Sequence, residues 1–276
     1  MMQSITRPLA FLFSVLLSVT AHSQMITAHR GASHDAPENT LAAFELAWQQ
    51  GADAVEADFY LTADNQIVCI HDADTRRTTG VKRVVAQTTL DELRRLDAGS
   101  WKGQAFAGQR LPTLAEALAT MPKGKGKQFF IELKVGPEIV PVLAAELQRL
   151  ETDPASLTVI AFNAETVAAC KQQLPAIKVH WLTSFKRRNG IGPWAPTAKQ
   201  IAATVERSGA DGVGMQGERA VVDADFIAQL TEAGVPEFHV WTIDSPADAA
   251  YFAQLGAIGI TTNRPAFIRE SLTEAE

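Results

Sequence analysis

Cysteine is nearly absent from this chain, and so are several other features that would narrow its class. Only Cys69 and Cys170 occur among 276 residues. One falls in a strand-like run and one in a helix-like run, so both are expected as free thiols packed into the core. No cysteine closes the N-terminal apolar stretch, which argues against a lipid-anchored lipoprotein. Beyond that stretch no run is long and apolar enough to span a bilayer. Basic residues are in deficit, 25 Lys plus Arg against 31 Asp plus Glu. An acidic surface argues against nucleic acid or an anionic membrane as partner. Low-complexity linkers and composition breaks are missing too. With an ordinary apolar fraction of 46%, the chain reads as one globular domain.

The first residues carry their own signal. Arg7 gives a short positive region, Leu9 to Val19 an apolar core, and Ala21-His22-Ser23 small residues ahead of Gln24. These are the parts of a signal peptide over 1–23, so the catalytic domain is expected as 24–276, exported to a periplasm or secreted. Arg7 is the only charge lost with the leader, which moves the net charge from −6 to −7.

Strand-like and helix-like segments then alternate. Apolar runs predict strands at 25–29, 53–59, 128–134, 157–162, 177–183, 211–215, 238–243 and 258–262. Helical patterns fall at 39–50, 137–150, 164–173, 196–208, 222–233, 246–255 and 266–273. Asn39, Asn163, Asp223 and Ser245-Pro246 stand at helix starts, and Gly51, Gly209, Gly234 and Gly256 at helix ends. Eight such units in about 250 residues predict a (β/α)8 TIM barrel, with an open doubly wound sheet as the alternative. One segment breaks the alternation. The second strand passes through Ala63-Asp64-Asn65 into a second apolar run ending at His71-Asp72, which predicts a hairpin that carries His71 back toward Glu56. An insertion over roughly 73–111 follows, with short helices at 89–97 and 113–120 around and after it. Such material sits on the catalytic rim of a barrel.

Charged residues in these apolar runs are the candidates for chemistry. Glu56 and Asp58 stand two apart in a strand, so they share a face, and Glu132 and Lys134 repeat the geometry. Three buried carboxylates call for a hard divalent cation, Mg2+ or Ca2+, rather than a metal that prefers soft ligands. His29 and His71 each end an apolar run. Arg30 offers a planar fork for phosphate oxygens and Lys134 a point charge. His34, His180 and His239 are expected as surface or core histidines, Phe162 as packing, and Asp72 as an orienting group. Lys123 to Lys127 is expected as a solvated turn.

Taken in order, His29-Arg30-Gly31, Pro37-Glu38-Asn39-Thr40, Glu56-x-Asp58, His71-Asp72, Glu132-x-Lys134, Trp241-Thr242 and Thr262-Asn263-Arg264-Pro265 resemble the glycerophosphodiester phosphodiesterase family. The resemblance spans roughly 26–268. It implies a barrel with a divalent ion on Glu56, Asp58 and Glu132, and with His29 and His71 as acid–base catalysts. Arg30, Lys134, Trp241 and Asn39 would lie at the substrate, a small glycerophosphodiester cleaved to glycerol phosphate and an alcohol. Two positions depart from the pattern. Asn263 stands where many relatives carry aspartate, and Ala161-Phe162-Asn163 replaces a serine-bearing strand end. The competing expectations are a phospholipase-like lyase that forms a cyclic phosphate and a non-catalytic barrel that binds phosphate compounds. Oligomeric state is left open.

Overall fold

Alternation of residue types across each strand explains how the chain closes on itself. In the computed structural model, which describes residues 24–124 and 126–273, β1 (Met25–His29) pairs in parallel with β2 (Ala54–Leu61). Five more parallel strands carry the sheet round: β4 (Gln128–Leu133), β5 (Leu157–Ala161), β6 (Lys178–Thr183), β9 (Gly212–Gln216) and β10 (Phe238–Trp241). The last, β11 (Gly259–Thr262), pairs with both β10 and β1 and closes an eight-stranded parallel barrel. The signal-peptide expectation for 1–23 lies outside the described residues.

Along β2, Val55, Ala57 and Phe59 point outward into the main apolar core between sheet and helices. Ala54, Glu56 and Asp58 therefore point into the barrel, following the period of two. The same holds in β4, where Phe129, Ile131 and Leu133 pack outward and leave Phe130 and Glu132 inside. Inside the barrel, Ala54, Phe130, Ile160 and Leu182 form a small apolar layer. Beside it His180 and His239 stack with ring centroids 5.2 Å apart, and His180 Nε2 meets Glu237 at 2.8 Å. Gly214 makes room for that stack, because a Cβ there would lie 2.4 Å from His239 Nε2. His180 is thus a satisfied core histidine, as expected.

The long helices form the outer ring: α1 (Leu41–Gln49), α5 (Val140–Arg149), α6 (Ala164–Gln173), α7 (Ala198–Ser208), α8 (Ala224–Glu232), α9 (Pro246–Gln254) and α10 (Pro265–Thr273). Asn163 and Asp223 cap α6 and α8 as expected. Asn39 caps nothing. Thr40 accepts the Ala43 N–H at 3.3 Å instead, because Asn39 is drawn into the barrel mouth.

The hairpin is present. β3 (Ile67–Cys69) runs antiparallel to the upper half of β2 with Phe59 opposite Cys69, and the Ile70 N–H reaches the Asp58 carbonyl at 2.9 Å. His71 is returned to the level of the carboxylates. The insertion holds two short helices, α2 (Arg76–Thr79) and α3 (Leu90–Leu93), before α4 (Leu114–Ala119). A satellite core of Val68, Ile70, Val85, Leu93, Ala98 and Leu111 holds it to the hairpin. The helix expected over 89–97 is a single turn ending at Leu93, and Asp97 then turns the chain, accepting N–H groups from Gly99, Ser100 and Gly108. A two-stranded ribbon, β7 (Lys186–Arg187) with β8 (Trp194–Ala195), decorates the loop after β6.

Candidate active site

Register alone brings the three carboxylates together. β2 and β4 are neighbours with Asp58 beside Glu132, and β1 sets His29 beside Glu56. One oxygen from each of Glu56, Asp58 and Glu132 lies within 4.8 Å of the others, and all three residues are buried. Glu56 Oε2 accepts the Arg30 N–H at 2.9 Å. Glu56 Oε1 has no hydrogen-bond partner, a costly state for a buried carboxylate oxygen, and Asp58 Oδ1 has only the ammonium of Lys134, 3.3 Å away. Burial, with Asp58 and Glu132 beside it, pushes the Glu56 carboxyl well up. Burial and then Asp58 raise Glu132 to about 7. Burial also opposes the charge on Asp58, but Lys134, Arg30 and the Asn39 amide outweigh it and hold Asp58 down. Three crowded hard oxygen donors, with Glu56 Oε1 left unpartnered, fit a divalent ion such as Mg2+ or Ca2+.

Two cations stand over this cluster. Lys134 Nζ donates to Glu132 Oε1 at 2.6 Å and lies 3.3 Å from Asp58 Oδ1. Arg30 Nε is 3.2 Å from Asp58 Oδ2, and its Nη1 donates to Glu38 at 2.9 Å. The Arg30 backbone is left-handed at φ 56, a strained setting for a non-glycine residue that lets its N–H and guanidinium both turn toward the carboxylates. Asn39, expected at the substrate, is 2% exposed and bonded to β2. Its Nδ2 donates to Asp58 Oδ2 at 2.8 Å while its Oδ1 accepts the Asp58 N–H at 3.2 Å and the Cys69 thiol at 3.2 Å. Its work is to hold Asp58.

The two histidines have different partners. His71 Nδ1 meets the Asp72 carboxylate at 2.6 Å. Asp72 in turn accepts from Arg77 Nε at 2.6 Å, and that hydrogen bond pulls its pKa down to about 2. Arg77 also grips both oxygens of Glu38, at 2.7 and 2.9 Å. His29 Nδ1 instead meets a neutral amide, Asn263 Oδ1, at 2.8 Å. Burial and the nearby Arg30 lower His29 to about 4.

The site opens into a cavity of about 140 Å3 at the C-terminal mouth of the barrel. His29, Arg30, Glu56, His71, Glu132, Lys134 and Trp241 all contribute to its wall. Phe162 corrects an expectation: it is 44% exposed, not packed away, and lines the cavity edge-to-face with Trp241 at 5.5 Å. His239 also reaches the cavity floor. Glu38 and Arg77 were not given roles from sequence. Glu38 lay in plain view beside Asn39, but nothing local marks Arg77, which meets Glu38 only through the fold.

The sequence profile of the Glycerophosphoryl diester phosphodiesterase family matches residues 29–267. The chain belongs to that family. YhdW of Bacillus subtilis (strain 168) is 38% identical over 245 residues, covering 88% of this chain and 96% of the relative. A glycerophosphodiester phosphodiesterase of Caldanaerobacter subterraneus subsp. tengcongensis is 31% identical, covering 87% and 94%. Among solved structures, a phosphodiesterase of Oleispira antarctica in complex with the product sn-glycerol-3-phosphate superposes with a TM-score of 0.80 at 29% identity, covering 90% of this chain and 96% of that one. This family member is accordingly a phosphoric diester hydrolase on a TIM barrel, with a small-molecule substrate.

Proposed function

We propose that this glycerophosphodiester phosphodiesterase is exported and metal-dependent, with His29 as the base and His71 as the acid. The observation that carries the reading is the contrast between the histidines across one cavity. A carboxylate at Nδ1 orients the ring and can accept its Nδ1–H, so His71 is suited to act through its other nitrogen on the leaving oxygen. A neutral amide at Nδ1 favours the neutral ring, so His29 is suited to take a proton. A divalent ion held by Glu56, Asp58 and Glu132 would neutralise charge on the phosphoryl group. Arg30 and Lys134 supply positive charge for the phosphate oxygens, and Trp241 and Phe162 form an apolar wall for the carbon skeleton.

In the first step a hydroxyl oxygen, from water or from the adjoining glycerol, loses its proton to His29 Nε2 as it bonds to phosphorus. The P–O bond to the alcohol breaks, and its electron pair takes the proton of His71. If glycerol attacks, water opens the resulting cyclic phosphate with the proton roles reversed. Export rests on the leader pattern of residues 1–23.

The test is a survey of glycerophospho-choline, -ethanolamine, -glycerol and -inositol with added Mg2+ or Ca2+, using protein recovered from outside the cytoplasm whose N-terminus is read by sequencing. Glycerol phosphate and free alcohol from at least one substrate, and a chain beginning near Gln24, are expected. Stable cyclic phosphate as end product, or an uncleaved cytoplasmic chain, would contradict the corresponding part of the reading.

A further inference from the structure

The atom that decides which nitrogen of His29 carries its proton lies outside the cavity wall. Asp244 follows β10, and its carboxylate can only accept hydrogen bonds when ionised. Its Oδ1 accepts from Thr262 Oγ1 at 2.9 Å and from the Asn263 N–H at 2.8 Å. Its Oδ2 sits 2.6 Å from the Asn263 side chain. The Asn263 atom facing it must therefore be the NH2 group. That choice turns Asn263 Oδ1 toward His29 Nδ1, 2.8 Å away, and toward Ser33 Oγ, also 2.8 Å away. An amide oxygen offers no proton, so Nδ1 must be the protonated nitrogen of His29.

We infer that Asp244, acting through the Asn263 amide, fixes His29 in the Nδ1–H tautomer and so leaves Nε2 with a bare lone pair to accept the proton of the nucleophile. Asp244 and Asn263 are positioning residues. Neither lines the cavity, and both act on substrate only through His29. The inference rests on His29 being the base and adds the reason it is ready to be one before substrate arrives. It also gives a physical meaning to asparagine at position 263. A carboxylate at that position would stand 2.6 Å from the one at Asp244 unless residue 244 changed with it.

The arrangement makes Asp244→Asn an informative substitution. The amide it introduces would use its oxygen to satisfy Thr262 and the Asn263 N–H, and would present its NH2 to the Asn263 side chain. Asn263 must then turn over, its NH2 would face His29 Nδ1, and the ring proton would move to Nε2. A ring protonated at Nε2 cannot accept there. Adding Asn263→Asp restores the pattern, because the new carboxylate accepts both from the amide at position 244 and from His29 Nδ1–H.

The experiment records 15N NMR of the His29 ring in protein labelled at histidine, assigned by its loss in His29→Ala, together with steady-state kinetics and thermal melting. Expected are a protonated Nδ1 in the starting protein and a protonated Nε2 in Asp244→Asn. The single variant should lose about 10- to 100-fold in kcat, the range for a lost orienting partner, with KM little changed. The fall should be alike for choline and p-nitrophenol leaving groups. The double variant should regain the Nδ1–H tautomer and most of kcat. An Asp244→Asn protein that keeps Nδ1–H, or a double variant with the tautomer restored and kcat still lost, would overturn the inference. Near-normal turnover in His29→Ala would instead remove the base assignment beneath it, while the NMR result would still judge the tautomer lock.

Discussion

His29 and His71 differ in one neighbour each, and that difference is open to kinetic test. A positioned acid or base contributes about 10²- to 10⁴-fold. His71→Ala should therefore damage turnover of glycerophosphocholine severely and turnover of a p-nitrophenyl ester much less, since p-nitrophenolate leaves without a proton. His29→Ala should slow both alike. Equal losses for both substrates in both variants would remove the division of roles. Much at this scale was legible from sequence. Period-two spacing placed Glu56 with Asp58 on one face of β2, and Glu132 with Lys134 where the chain leaves β4. The residues hardest to read were those whose partners lie far along the chain. Asn39 looked like a helix cap or substrate contact, but it is 19 positions from the carboxylate it holds. Phe162 read as packing, since no local signal tells an inward aromatic from one at the rim.

The hairpin of β2 and β3, with the insertion behind it, delivers the His71 side of the site. His71 stands just beyond β3, Asp72 orients it, and Arg77 of α2 ties Asp72 to Glu38 and so toward Arg30. Arg77 is 44% exposed in its side chain, so its ion pairs add little to global stability; their value is in alignment. Arg77→Ala should lower kcat by about 10-fold, equivalent to about 1.4 kcal/mol in the barrier. The loss should be larger for poor leaving groups, and the melting temperature should hardly move. A loss seen equally with p-nitrophenolate, or a collapse in melting temperature, would count against this alignment role. The hairpin could be read from its turn residues and its paired apolar runs. The insertion's short helices could be placed only loosely, because a single turn of four residues is too short to show a repeating apolar stripe.

Across the whole molecule, the barrel stores a cost at its mouth that the proposed cation would relieve. Glu132, raised to about 7, holds its proton in the folded state at pH values where the unfolded chain has lost it. Stability from this group is thus full below its ordinary value of 4.5 and is lost as pH rises through about 7. His29, lowered to about 4, works the other way, losing stability as pH falls from 6.5 toward 4. The carboxylate's part is therefore best isolated by comparison with Glu132→Gln. In chelator-treated protein the melting temperature of the parent, relative to that variant, should fall between about pH 5 and about pH 8. A flat or rising difference would show that Glu132 is not held protonated. Barrel closure itself was legible, since eight alternating units of this length leave few other solutions. On the proposed reading, Glu56, Asp58 and Glu132 together make the diesterase depend on a divalent ion. The most direct measurement of that dependence is release of glycerol phosphate from glycerophosphocholine, followed by 31P NMR, in chelator-treated protein before and after Mg2+ or Ca2+ is added back. Activity should vanish with chelator, return with metal, and stay absent in Glu56→Gln, whose circular dichroism should match the parent. Full turnover in the stripped protein, or metal-restored turnover in Glu56→Gln, would contradict the account.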